Sequence, residues 1–213
     1  LAVPSDLNAI DARIWPRTAK RNTHGELTVG DVAVSALIRQ YGSPLYVVDQ
    51  EDFETRLLSI KRAFSDAANK IGTTAKLYYA SKALLTTDVV RWVEQAGLSI
   101  DVSTGGELAV ALAAGMPGER IGLHGNNKSL REIGRAVTAG VGAIVIDSEI
   151  EIERIASAAG AQDKVQPVRL RVNTGVHANT HDFLATARED QKFGISIADA
   201  PALVAKIRSH SHL

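Results

Sequence analysis

The chain of 213 residues contains no cysteine, so it can form neither disulfides nor thiolate metal sites of its own. That composition is at home in a reducing cytoplasm, although it suits other compartments as well. Net charge is also lacking: 24 Lys and Arg balance 24 Asp and Glu, which leaves no electrostatic footprint for nucleic acid or an anionic membrane surface. No apolar run is long enough to span a bilayer. The first sixteen residues carry Asp6 and Asp11 and lack the basic flank and apolar block of a signal peptide. An initiating methionine is missing too, since the chain begins at Leu1. Its ends are therefore expected not to be those of the natural gene product.

What remains is a regular alternation. Short β-rich runs at 76–79, 98–102, 120–124, 143–147 and 168–172 begin 22 to 25 residues apart. That interval accommodates one strand, one loop and one helix, so five units in succession predict a parallel α/β architecture. Thr104-Gly105-Gly106-Glu107, Ser129-Leu130-Arg131-Glu132 and Ser148-Glu149-Ile150-Glu151 each match a capping box at a helix start. Gly97, Gly115, Gly140 and Gly160 follow the helical stretches, where a left-handed residue often ends a helix.

The region before the repeats is different. Residues 45–49 read as a strand. A long helix follows, with Phe53, Leu57, Ile60, Phe64, Ala68 and Ile71 on one face. Upstream, 14–21 and 26–29 give weak strand signals, and 31–40 a short helix. Periodicity does not separate an open doubly wound sheet from a closed barrel. An open dinucleotide-binding sheet would normally place a glycine fingerprint after its first strand, and Tyr79-Ala80-Ser81-Lys82 is not one. The barrel is favoured.

Lys82 closes the first repeat strand. In a parallel barrel that end faces the active site, because the βα loops converge there. The period of two puts Lys82 on a face with Ala80 and Tyr78. A lysine desolvated in such a pocket has its neutral form favoured, which makes it a competent nucleophile toward a carbonyl. The plain alternative is a lysine snorkelling out of a strand end.

The segments Tyr79-Ala80-Ser81-Lys82-Ala83, Asp101-Val102-Ser103-Thr104-Gly105-Gly106-Glu107, His124-Gly125-Asn126-Asn127-Lys128-Ser129, Val145-Ile146-Asp147-Ser148, Arg169-Leu170-Arg171-Val172-Asn173 and Gln191-Lys192-Phe193-Gly194 occur in order over roughly residues 40 to 195. Together they resemble the fold-type III pyridoxal-phosphate-dependent decarboxylases, which include ornithine, arginine and diaminopimelate decarboxylases. The Gly-Asn-Asn-Lys segment and the stretch from His177 through His181 to Gly194 most resemble the diaminopimelate branch.

The resemblance implies an α/β fold, a TIM-like (β/α)8 barrel of which about five of eight strands are present. Residues 1–49 would contribute to a β-rich second domain and the junction, and 50–213 would form the partial barrel. It further implies pyridoxal 5'-phosphate as cofactor, Lys82 as the lysine that binds it, an amino-acid substrate, a homodimer and a cytoplasmic location. The implied reaction of the full-length protein is decarboxylation of meso-diaminopimelate to L-lysine. Alternatives are a decarboxylase of another basic amino acid, a non-catalytic regulatory relative, and a barrel aldolase using Lys82 without a cofactor. The sixth strand, the phosphate loop and the second domain would lie beyond Leu213, so these 213 residues alone are expected to be inactive.

Asp101 and Arg171 match cofactor-side positions of the family, and Arg171 reads equally well as a strand charge paired within the barrel. Glu107 matches an acidic position near the cofactor, and is also the capping-box carboxylate. His124 and Asn126 end the third repeat strand and could line the site or merely form its turn. His177 and His181 have a metal-ligand spacing, but Asn179 and Thr180 between them suggest a loop without an acidic companion, so no metal site is expected. Gly105 and Gly106 read as turn glycines rather than a phosphate cradle. His210 and His212 fall at the end of a helix, too early to be the family's ring-stacking histidine.

Overall fold

The computed structural model describes residue 6 and residues 8–174 and 193–213, which divide into two compact units, 1–75 and 76–213. His177, His181, Gln191 and Lys192 lie outside the described residues. The first unit holds a three-stranded antiparallel sheet in the order β1 (Lys20–Arg21), β2 (Leu27–Val29), β3 (Val32–Ala33). Gly30 and Asp31 both take positive φ between β2 and β3, the conformation a two-residue hairpin turn requires.

Helices α1 (Val34–Tyr41) and α2 (Gln50–Lys70) complete this unit. Asp49 caps α2 by accepting the Asp52 N–H at 3.1 Å. On the predicted apolar face Leu57 and Ala68 are buried, whereas Ile60 and Phe64 are 51% and 57% exposed. The strand expected at 45–49 does not form. A strand exists only where another pairs with it, and among the described residues none lies alongside. The sequence reading starts a new domain at residue 50, whereas here α2 goes with the N-terminal unit.

In the second unit every repeat strand is present: β4 (Tyr78–Ala80), β5 (Ser99–Val102), β6 (Ile121–Leu123), β7 (Ala143–Ile146) and β8 (Val168–Leu170). All four pairings are parallel, and the spatial order is the chain order. Between them run α3 (Thr87–Gln95), α4 (Gly105–Ala113), α5 (Leu130–Ala139) and α6 (Ile150–Gly160), each packed on its neighbour. Strand order never reverses, so right-handed crossovers put all four helices on one face; a doubly wound sheet would reverse.

The sheet is also strongly curved. The Arg169 Nη2 of β8 donates to the Tyr78 Oη of β4 at 2.7 Å. Four strand intervals laid flat would separate these strands by about 19 Å, more than the two side chains can bridge. The unit is a barrel sector, as the family resemblance implies. Beyond Arg171, β9 (Val172–Asn173) pairs in parallel with β10 (Ile195–Ser196), and α7 (Ala200–Ser209) follows. The short β10 extends the parallel order where no strand was predicted.

The core lies between the sheet and its helices. All four residues of β7 are buried, as are Ile133, Ala136 and Val137 of α5 and Ile152, Ile155 and Ala159 of α6, while Val145 of β7 turns to the cavity side. Each fully buried aliphatic side chain contributes about 1.5–3 kcal/mol. Capping boxes form at Thr104/Glu107 and Ser129/Glu132. The third does not: α6 has no side-chain cap, and the Glu151 carboxylate turns inward instead. Gly97, Gly115 and Gly140 are left-handed as expected, but after α6 that role falls to Asp163 at φ 49°. Gly160 instead admits close packing, since a Cβ there would lie 3.2 Å from the His212 ring. The His210 backbone caps α7.

Candidate active site

A cavity of about 680 Å³ opens at the C-terminal ends of the parallel strands, a size suited to a small-molecule site. Five of the six residues singled out from sequence line it: Lys82, Asp101, His124, Asn126 and Arg171. They come from the ends of β4, β5, β6 and β8, which the repeat brings to one rim. Glu107 is not among the lining residues. Its carboxylate accepts the Thr104 N–H at 3.1 Å and the Ser103 N–H, as the capping reading requires.

Lys82 is reached by a route the alternation did not anticipate. The strand ends at Ala80, an edge strand of the sheet, and a 3-10 turn, Ser81–Ala83, carries the lysine. Ser81 is buried and Lys82 exposed, and the turn breaks the period of two only in that Ala80, Ser81 and Lys82 line the cavity in succession. Lys82 is thus not desolvated by the described residues. Among them its amine has no hydrogen-bond or ion-pair partner, so nothing competes for it.

Asp101 pairs across the sheet with Gly122, and its Oδ1 lies 3.3 Å from His124 Nε2 without hydrogen-bond geometry. Among the described residues, Asp101 Oδ1 and Ser81 Oγ are buried and lack hydrogen-bond partners, an arrangement that costs free energy unless a ligand completes it. On the opposite wall, Arg171 Nη1 donates to Asp147 Oδ1 at 3.0 Å, and the guanidinium stacks 4.9 Å from the Phe193 ring centroid. Arg171 thus pairs within the barrel, as the plainer reading expects, and also lines the cavity.

Sequence reasoning missed Arg169, whose guanidinium also lines the cavity and sits 4.9 Å over the Tyr78 ring. The signal was available, because residues two apart on a strand share a face and Arg171 was already named. Burial pulls the Tyr78 phenol upward, but the hydrogen bonds and charges of Arg169 and Lys76 outweigh it and hold the phenol below its usual value.

The turn-glycine reading of Gly105 and Gly106 agrees with the geometry. Glu107 takes the Ser103 and Thr104 amides, and Glu132 Oε1 accepts the Gly105 N–H at 2.8 Å. The start of α4 is therefore filled by carboxylates and cannot cradle a phosphate. Among the described residues, no three His, Asp or Glu side chains cluster as metal ligands.

Residues 57–213 match the family described as pyridoxal-dependent decarboxylase, pyridoxal binding domain. A diaminopimelate decarboxylase of Mycobacterium tuberculosis is 46% identical over 201 residues, which cover 94% of this chain and 43% of that protein. One from Mycobacterium leprae is 47% identical over 200 residues, covering 94% and 41%. Among solved structures, diaminopimelate decarboxylase from M. jannaschii in complex with L-lysine matches with a TM-score of 0.76 at 26% identity, covering 92% of this chain and 45% of that one. The chain thus spans less than half the length of these relatives. A cavity ringed by strand ends, with a lysine at its rim, is the setting in which such a match has chemical meaning, and the chain belongs to the pyridoxal-dependent decarboxylase family through its pyridoxal-binding domain.

The residues present fit pyridoxal phosphate in part. The Lys82 amine, without a partner among the described residues, suits an aldehyde, the Asp101 and Ser81 oxygens suit polar ring substituents, and Arg169 and Arg171 offset negative charge. A phosphate cradle is not supplied by α4.

Proposed function

We propose that this chain is the cofactor-holding part of a decarboxylase that converts meso-diaminopimelate to L-lysine and carbon dioxide. The observation that carries the reading is the Lys82 amine, unpartnered among the described residues, at the strand-end cavity beside Asp101 and His124. The names of the relatives support the substrate, as does the L-lysine held by the M. jannaschii protein.

When bound, pyridoxal phosphate supplies an electron sink for the bond that loses carbon dioxide. The chain's own residues hold and orient. Lys82 would hold the cofactor at its aldehyde, Asp101 and Ser81 would offer oxygens at the cavity floor, and Arg169 and Arg171 would keep the cavity positive for a carboxylate-bearing substrate. His124 Nε2 lies 3.3 Å from Asp101 Oδ1 at the same rim. The family resemblance supports a homodimer acting in the cytoplasm, with residues 1–49 contributing to a β-rich second domain. No helix among the described residues is long and apolar enough to cross a membrane.

Lys82→Ala in the full-length protein is expected to abolish both the visible absorbance of bound cofactor and carbon dioxide release from meso-diaminopimelate. Lys82→Arg is expected not to restore either, because a guanidinium stays protonated and is a poor nucleophile. Near-normal turnover by the alanine variant would overturn the assignment.

A further inference from the structure

We propose that Lys128 is a positioning residue, a buried cation that fixes two walls of the cavity at once: the loop carrying His124 and Asn126 directly, and Arg171 through Glu151 and Asp147. The inference rests on the cavity being the cofactor site.

Lys128 lies behind the cavity, its side chain 1% exposed and 2.9 Å from Glu151 Oε2, itself on a side chain 2% exposed. Its amine also donates to the Gly125 carbonyl. Gly125 takes φ 110°, and a Cβ there would lie 2.9 Å from the Ser103 carbonyl. The loop is thus pressed against the end of β5 on one side and tied to Lys128 on the other. Along the second branch, Glu151 Oε2 accepts the Asp147 N–H at 2.9 Å. Asp147 Oδ1 then receives the Arg171 guanidinium at 3.0 Å. One chain of contacts runs from Lys128 to the opposite wall.

Stability alone does not account for this pair. Replacing a buried ion pair by apolar residues of similar volume is often neutral or stabilising, and Glu151 Oε1 is buried with no hydrogen-bond partner among the described residues, which adds to the cost. What the pair provides that a methionine pair cannot is direction: a fixed donor for Gly125 and a fixed acceptor for Asp147.

The test is the Lys128→Met/Glu151→Met double variant of the full-length protein, compared with wild type, Arg171→Ala and the triple variant. The readouts are melting temperature, pyridoxal phosphate dissociation constant, and hydrogen exchange of the His124 amide in cofactor-free protein, which donates to the Val102 carbonyl at 2.7 Å. The double variant is expected to melt at or above wild type. It should bind pyridoxal phosphate at least about tenfold more weakly and exchange the His124 amide faster; in the Arg171→Ala background the affinity loss should shrink while the faster exchange persists, as coupled groups behave.

Wild-type affinity together with wild-type exchange in the double variant would overturn the proposal, as would losses that add independently to those of Arg171→Ala. Should the double variant fail to fold, Asp147→Asn cuts the link to Arg171 while leaving Lys128 and Glu151 paired. Its affinity loss must then be non-additive with Arg171→Ala, and additivity overturns the proposal. If wild type binds no pyridoxal phosphate, or Lys82→Ala binds it unchanged, the site reading fails instead, and the exchange of His124 still decides whether Lys128 holds the loop.

Discussion

Gly122 has no side chain, and its neighbours use the space. A Cβ there would lie 2.4 Å from Asp101 Oδ1 and 3.5 Å from Tyr78 Cε1, so the glycine decides where the Asp101 carboxylate can rest. Gly122→Ala is expected to push that carboxylate off its place. It should cost about 1–3 kcal/mol of stability by overpacking and weaken cofactor retention at the same time. Urea unfolding and a cofactor titration on the same variant check this; wild-type values in both would show that the cavity has slack there. Single residues were legible where position on the repeat exposed them. Lys82, Asp101, His124, Asn126 and Arg171 stand at or just past strand ends, and a parallel barrel sends strand ends to one rim. Arg169 shares a face with Arg171 and was legible in the same way; its partner across the barrel was not. Arg169 meets Tyr78 over a separation of 91 residues.

Helices α4 and α5 share a carboxylate. Glu132 closes the capping box of α5 on Ser129 and accepts the first amide of α4 from Gly105. Those hydrogen bonds, the one from the Ser129 backbone foremost, hold its pKa below the ordinary glutamate value despite some burial. A depressed folded pKa means the charged form is the stabilising one. Its contribution is fully present above the unfolded pKa and is lost as pH falls through the folded one. Glu132→Ala is therefore expected to cost about 1–2 kcal/mol at neutral pH, with the gap to wild type closing on acidification below about pH 4. Unfolding midpoints measured at both pH values test it, and a gap that ignores pH would assign the loss to packing. At this scale the strand–helix rhythm was readable because hydrophobic period and caps are local. The failures were tertiary. Residues 45–49 have strand chemistry without a strand beside them, and Glu151 carries the right spacing for a cap but finds a buried lysine instead.

Over the whole molecule, curvature and chain order make a cavity whose base is braced by Tyr78 and Arg169 and whose rim carries Lys82. Whether the sheet was open or closed could not be read from periodicity, since both architectures share it; the sequential order and the cross-barrel hydrogen bond settle it. The same geometry predicts how these 213 residues behave as a separate polypeptide. The glycine-rich start of α4 already has its amides taken by Glu107 and Glu132, so pyridoxal phosphate would be held by one reversible covalent link to Lys82 and a few side chains. β4 forms one edge of the five-stranded sheet, and an unpaired edge favours association. The polypeptide is therefore expected to lose most added pyridoxal phosphate on gel filtration, to elute in part as larger species, and to release little carbon dioxide from meso-diaminopimelate. Stoichiometric retention with substantial turnover would show that the phosphate is anchored by groups of this chain other than those that line the cavity, and that the active site is misplaced.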